Sequence, residues 1–350
     1  MKIGHRKIGN NHPPYIIAEL SGNHNGDINR ALELINIAAD AGADAVKLQT
    51  YTADTITLNS DKPDFKINGG LWDGYTLHSL YHWAHTPWEW HPTLFAHARD
   101  LGIDIFSSPF DFSAVEFLEG LNVNAYKIAS FELIDLPLIK RVAQTKKPLI
   151  MSTGMANLDE IREAVATAKE FGAEDICILH CVSGYPTPPE QANLRTISAL
   201  AQEFELNIGL SDHTLGNATS IASVALGATV IEKHFTIKRD EGGPDAAFSL
   251  EPDELKQLCQ DTKDAWLSLG QAGFEHKDAE KGNVQFRRSL YTSKPIKKGD
   301  TFSADNIRSV RPGFGLAPKH YESILGKKAL KDIDFATPLN WSFIKKENEA

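Results

Sequence analysis

Eight short apolar runs recur along about 270 residues of this chain, each closing in polar residues, and no other feature restricts its fold so strongly. The first four are Tyr15-Ile16-Ile17-Ala18, Ala45-Val46-Lys47-Leu48, Ile103-Asp104-Ile105-Phe106 and Ala125-Tyr126-Lys127-Ile128. The others are Pro148-Leu149-Ile150-Met151, Ile176-Cys177-Ile178-Leu179, Asn207-Ile208-Gly209-Leu210 and Thr229-Val230-Ile231-Glu232. Their length and composition are those of buried parallel strands. Most intervening segments carry a helical stripe. One runs through Ile28, Ala31, Leu32, Ile35, Ala38 and Ala39 behind an Asp27 N-cap. Another runs through Leu158, Ile161, Val165 and Ala168 and stops at Gly172. After the eighth run, Pro252 opens a helix carrying Leu255, Leu258, Cys259, Thr262, Trp266 and Leu269. Eight strand–helix units of this size predict an α/β fold, a closed (β/α)8 TIM barrel. An open doubly wound sheet is the competitor, and the lack of G-x-G-x-x-G after the first run weakens it.

The pattern changes near residue 275. Residues 275–284 are polar and charged and read as a linker. Beyond them the helical period is lost: Ser289-Leu290-Tyr291-Thr292 reads as a short strand, and Lys297-Lys298-Gly299-Asp300, Arg311-Pro312-Gly313 and Leu325-Gly326-Lys327 read as turns. The expected organisation is a barrel over 1–274, a linker over 275–284 and a small β-rich domain over 285–350.

With 36 Lys+Arg against 46 Asp+Glu, the net charge is −10. An acidic surface disfavours nucleic acid and anionic membrane as partners, since both need clustered cations. It leaves room for a small basic pocket. No apolar stretch of about 18 residues is present to span a bilayer, and none follows the charged N-terminus as a secretory signal would require. Three cysteines do not suggest a disulfide framework. The expectation is a cytoplasmic protein.

In such a barrel the chemistry collects at the carboxyl ends of the strands. The polar residues expected there are Glu19, Lys47, Gln49, Ser108, Lys127, Ser130, Glu132, Ser152, Tyr185, Asp212, His213, Glu232 and His234. Any one strand end can be polar because it meets solvent; the joint pattern says more. Two lysines on separate strands, with hydroxyls in the following loops, suit a phosphate and a carboxylate. Carboxylates in the same ring could orient a carbonyl or move protons. His213 and His234 close neighbouring strands and suit a divalent ion with open positions, Mn²⁺, Mg²⁺ or Co²⁺. A zinc site on His180, Cys177 and Cys181 is disfavoured, because alternation points His180 away from both cysteines.

One connection stands apart. About 40 residues separate Gln49 from the helix expected near Trp90, and they hold four of the six tryptophans. Connections in such folds are usually 2–6 residues long. A long aromatic loop at a barrel mouth could cover a substrate with Trp72, Trp88 or Trp90.

These motifs resemble the sialic acid synthases, which condense phosphoenolpyruvate with an N-acetylated sugar. The resemblance covers nearly the whole chain. It rests on Ala18-Glu19, Gly22-Asn23-His24-Asn25-Gly26, Val46-Lys47-Leu48-Gln49-Thr50, Ser107-Ser108-Pro109-Phe110 and Tyr126-Lys127-Ile128-Ala129-Ser130. It continues through Met151-Ser152-Thr153-Gly154-Met155, the run from His180 to Pro188, Leu210-Ser211-Asp212-His213-Thr214, Glu232-Lys233-His234-Phe235-Thr236 and Gly243-Pro244-Asp245. The tail resembles the antifreeze-like (SAF) domain of that family, with Val310-Arg311-Pro312-Gly313 as its core. The stretches Gly69–Tyr75 and His85–Trp90 resemble the pseudaminic branch more than the neuraminic one. Ser183 stands where the neuraminic enzymes usually have Asn.

The resemblance implies an aldol-type condensation with a divalent metal on His213 and His234. It implies that Lys47, Lys127, Ser130, Ser152 and Ser211 hold phosphoenolpyruvate, and that Glu19, Gln49, Glu132, Tyr185 and Asp245 hold or protonate the sugar, with Glu19, Glu132 and Asp245 as the catalytic groups. Ser108, Trp72 and Ser183, the last still able to reach a phosphate as a donor, are implied to bind substrate. It further implies a domain-swapped homodimer in which Arg311 reaches the partner's barrel, a role that the rigid turn at Pro312-Gly313 suits. Rival readings are the same chemistry leading to neuraminic or legionaminic acid, and an ice-binding module.

Overall fold

In a computed structural model describing residues 1–345, the eight apolar runs form a closed parallel barrel, and the chain divides into two compact units, Met1–Gly270 and a second beginning at Gln271. The barrel strands are β1 (Tyr15–Glu19), β2 (Ala45–Thr50), β3 (Asp104–Pro109), β4 (Tyr126–Ile128), β5 (Leu149–Ser152), β6 (Ile176–Cys181), β7 (Asn207–Asp212) and β8 (Val230–His234). Each pairs with the next in sequence, and β8 closes on β1. No helix among the described residues is long and apolar enough to cross a membrane.

Helices follow the strands where the stripes predict them. The first, α1 (Ile28–Ala41), starts at Asp27, whose carboxylate accepts from the Asn29 amide, and ends at Gly42 in the left-handed conformation. The long connection after β2 is not bare loop. It contains α2 (Ala53–Ile56) and α3 (Leu77–Ala84) before α4 (His91–Leu101) resumes the barrel pattern. Next come α5 (Phe112–Gly120), α6 (Leu136–Ala143), α7 (Leu158–Glu170), α8 (Thr196–Phe204), α9 (Ala218–Ala225) and α10 (Pro252–Leu269). Leu158 and Leu269, at the ends of their stripes, are exposed.

Two apolar layers form the barrel core. Outward residues such as Ile16, Val46 and Ile178 meet the helices in one layer. Inward residues Tyr15, Ile17, Ala45, Phe106, Ala125, Ile150, Leu179 and Val230 fill the lower interior, and Ile3 and Ile8 of the N-terminal hairpin cap it from below. Burying a side chain such as Ile3 contributes about 1.5–3 kcal/mol. The packed floor leaves the polar upper ends of the strands as the lining of an opening at the carboxyl face.

The second unit has its own small core, including Leu290, Ile296, Phe302, Ile307, Ile324 and Leu339. Its strands β9 (Ser289–Thr292) and β10 (Ile307–Val310) are antiparallel, and isolated bridges such as Ile296–Ile333 extend the pairing. One helical turn, α11 (Asp278–Lys281), lies within the polar stretch 275–284. Residues 346–350 of the expected final domain lie outside the described residues.

Candidate active site

Alternation along each strand turns every second side chain into the barrel, and register decides which of them share a level. His234 lies level with Glu19, Glu19 with Lys47, Gln49 with Ser108, and Ser211 with Glu232. Together with the following loops they enclose a cavity of about 480 Å³. Its lining includes Glu19, Lys47, Gln49, Trp72, Lys127, Ser130, Glu132, Ser152, Tyr185, Ser211, His213, His234 and Asp245. Four expected residues, Ser108, Ser183, Asp212 and Arg311, are not part of that lining. Ser108 lies behind it, 3.4 Å from the Lys47 Nζ. Ser183 packs against Gly154, and Arg311 belongs to the second unit.

The two lysines are not bare cations. Lys47 Nζ lies 2.6 Å from Glu19 and 3.8 Å from Glu232, and Lys127 Nζ lies 3.4 Å from Glu232. Burial opposes the charge on Glu232, yet Lys127 and Lys47 hold its pKa below the ordinary glutamate value. The other carboxyls move the opposite way. Burial raises Glu19 in spite of Lys47, raises Asp245 to about 6 and raises Glu132 to about 7. Glu132 therefore titrates near neutral pH and Asp245 just below it, while Glu232 stays ionised against the two lysines.

Hydroxyls complete an anion cradle. Ser152 Oγ and Ser183 Oγ are buried without any hydrogen-bond partner. Buried polar atoms are rarely left so, and both hydroxyls are free to meet a ligand or a water. Gly154 N–H donates to Ser130 Oγ at 3.1 Å. A Cβ on Gly154 would collide with Ser183 Oγ and Ser130 Oγ, so only glycine lets these hydroxyls converge.

His213 and His234 face each other with ring centroids 5.3 Å apart, flanked by Tyr185 and Phe248. His213 Nδ1 lies 3.1 Å from the Val182 carbonyl, which can only accept. Nδ1 therefore carries a hydrogen; burial opposes a charge on the ring, but Cys181 and the Val182 carbonyl raise its pKa, and Nε2 offers a lone pair once the ring gives up its second proton. Burial, then the neighbouring His213, push His234 well below the ordinary imidazole pKa, so it is neutral. Its Nδ1 is buried and unpartnered, 3.8 Å from Asp245 Oδ2. Two facing imidazoles, His234 neutral and His213 able to release its second proton to a metal, fit a divalent ion whose other positions go to water or substrate. Among the described residues, no three His, Cys, Asp or Glu side chains converge to complete a site unaided.

The structure also revises some strand-end assignments. Asp212 points away from the cavity into a buried pair with Lys233 at 2.9 Å. Trp88 donates to the Tyr51 carbonyl and stacks on Phe117, and Trp90 packs beside His24. Both anchor the excursion; Trp72 alone of the three lines the cavity, its Nε1 donating to the Pro244 carbonyl at 2.8 Å. His180 bonds the Ala192 carbonyl, whereas Cys181 lies 3.8 Å from His213. Glu232, expected as one of the ring's carboxylates that orient a carbonyl or move protons, instead sits between the two lysines as their shared counter-ion. Ser21, hydrogen-bonded to Asp245, was missed because it follows the strand.

Comparison with known proteins gives a consistent result. Residues 34–273 match the NeuB family and residues 287–345 a SAF domain. A pseudaminic acid synthase of Campylobacter jejuni is 48% identical over 328 residues, covering 94% of this chain and 96% of that protein. An N,N'-diacetyllegionaminic acid synthase of the same species is 41% identical over 91% of this chain and 96% of that protein. The crystal structure of N-acetylneuraminic acid synthetase from Leptospira borgpetersenii, in complex with citrate, superposes with a TM-score of 0.73 at 33% identity. It covers 82% of this chain and 95% of the other.

Proposed function

The chain belongs to the NeuB family, and from that premise we infer that it condenses phosphoenolpyruvate with 2,4-diacetamido-2,4,6-trideoxy-L-altrose and water, giving pseudaminic acid and phosphate. Identity of 48% to a pseudaminic acid synthase against 41% to a legionaminic one supports this sugar. The observation that carries the phosphoenolpyruvate half is the unpartnered Ser152 hydroxyl, which lines the same cavity as Ser130 and the lysine pair.

In this reading Lys47, Lys127, Ser130, Ser152, Ser183 and Ser211 hold the phosphate and carboxylate, with Ser108 fixing Lys47 from behind. The enol carbon attacks the aldehyde carbon of the open sugar, forming the C–C bond and leaving positive charge at the former enol-ether carbon. Water adds there and loses a proton. The C–O bond to phosphate then breaks, and phosphate departs with the bridging oxygen. The sugar's carbonyl oxygen becomes a hydroxyl and needs a proton. Glu132 and Asp245, with pKa values raised to about 7 and about 6, can hold one near that oxygen. Glu19, Gln49 and Tyr185 orient the sugar, and Gln49 is itself held by Glu19 at 2.9 Å. A divalent ion on His213 and His234, Mn²⁺, Mg²⁺ or Co²⁺, would supply Lewis-acid polarisation of the aldehyde.

The reading extends to a two-fold homodimer whose active sites are completed in trans by Arg311. Arg311 is exposed on its own unit, whose ion pairs among the described residues, Lys281–Asp278 and Lys297–Asp332, do not include it. The reaction is placed in the cytoplasm, where phosphoenolpyruvate is made.

Phosphate release from phosphoenolpyruvate, measured with the trideoxy altrose sugar, N-acetylmannosamine and the legionaminic precursor, tests this function. The expected result is the highest kcat/KM with the first. Preference for either of the others would overturn the choice of sugar.

A further inference from the structure

The excursion between β2 and α4 does more than cover the mouth: it brings a largely apolar face to the cavity. Ile56 closes α2, Ile67 lies in the turn between the helices, and Leu77, Leu80 and Ala84 fall on one side of α3 at a spacing of three and four residues. The polar side chains this excursion adds to the lining are the tyrosines Tyr51 and Tyr81 and the indole of Trp72. The indole N–H is already committed to the Pro244 carbonyl, so Trp72 offers the cavity only its ring.

This face is held in place. A Cβ at Gly22 would meet the Ala84 carbonyl oxygen at 2.9 Å and the Ala84 Cα at 3.2 Å, so the end of α3 sits directly against the loop after β1. Trp88 ties the far end of the excursion to the Tyr51 carbonyl at 3.1 Å. Trp72 bridges from the excursion to Tyr185, which follows β6, with centroids 5.7 Å apart. An apolar surface fixed in this way is a preformed pocket wall.

We propose that the face formed by Ile56, Ile67, Leu77, Leu80 and Ala84 seats the methyl end of the sugar and selects a 6-deoxy sugar over its 6-hydroxy counterpart. The inference rests on the sugar reading above and assigns which part of the chain makes the choice. The reacting carbon must lie near the imidazoles and the anion cradle, so the rest of the sugar extends towards other lining. A terminal methyl matches the side chains of Ile56, Ile67, Leu77, Leu80 and Ala84, whereas a hydroxymethyl seated on them would bring a donor that none of these five can pair. Apolar pockets reject an added hydroxyl by about a hundredfold at most. The expected preference is therefore about ten- to a hundredfold in kcat/KM.

The test compares 2,4-diacetamido-2,4,6-trideoxy-L-altrose with its 6-hydroxy analogue in the full-length wild type, Ile67→Thr and Leu77→Ser. Each variant places a hydroxyl on the face at a half-buried position outside the barrel core. The expected result is a sugar preference reduced about threefold or more in each variant. The change should lie in the sugar KM, with the phosphoenolpyruvate KM unmoved and the circular dichroism melt retained. A wild type without preference, or variants that lose activity on both sugars in equal proportion, would overturn the assignment while leaving the trideoxy sugar as substrate. Turnover of N-acetylmannosamine but of neither diacetamido sugar would instead remove the underlying reading, and this assignment with it.

Discussion

Lys127 is pulled two ways: burial lowers its pKa below the ordinary lysine value, and Glu232 at 3.4 Å opposes that shift. An anion arriving beside it gains a charge-assisted contact worth roughly 1.5–3 kcal/mol. Lys127→Ala is therefore expected to weaken phosphoenolpyruvate binding about ten- to a hundredfold by calorimetric titration; an unchanged Kd would place the anion elsewhere. Glu132 makes a separate prediction. Burial raises its pKa from 4.5 to about 7, so the folded barrel holds this proton more tightly than the unfolded chain. The associated stability is fully present below the unfolded pKa and is lost as pH rises through the folded one. Glu132→Gln should thus gain on wild type between pH 5 and pH 8, by on the order of 1–3 kcal/mol in urea unfolding. A difference independent of pH would mean that the carboxyl is ionised throughout. For the histidine pair, chelation should abolish turnover and Mn²⁺, Mg²⁺ or Co²⁺ should restore it. His213→Ala and His234→Ala should lose both activity and tight Mn²⁺ binding, read by elemental analysis after gel filtration.

At the level of elements, the eight strands are legible because buried parallel strands leave short apolar runs that differ from helical stripes in period. Strand-end residues are legible for the same reason: alternation puts Glu19, Lys47 and Gln49 on one inward face. Asp212 shows the limit. It lies beside the inward Ser211, but its own parity turns it outward to Lys233. The excursion was visible as an anomaly of length and tryptophan content, yet α2 and α3 were not, being only four and eight residues long. Which tryptophan faces the cavity depends on tertiary contacts with Phe117 and Pro244, and local sequence carries no trace of these. The element-scale prediction follows from the outcome. Trp72→Ala should raise the sugar KM more than the phosphoenolpyruvate KM, whereas Trp88→Ala should chiefly lower the Tm. Equal effects of Trp72→Ala on both KM values would contradict the assignment.

For the whole molecule, the small second unit has a modest core and an exposed Arg311, in keeping with a role completed by a second copy. Mixing Arg311→Ala with His213→Ala and allowing subunits to exchange should restore one intact site per mixed dimer, about half the wild-type activity of a dimer. Exchange proved by mass spectrometry without recovered activity would confine the arginine to its own subunit or remove it from the reaction. The central claim, condensation with loss of phosphate by C–O cleavage, is tested most directly by the fate of the bridging oxygen. Phosphoenolpyruvate labelled with heavy oxygen at that position should give labelled phosphate and an unlabelled nine-carbon diacetamido acid by mass spectrometry. Label retained in the acid, or labelled phosphate without any new nine-carbon product, would contradict it.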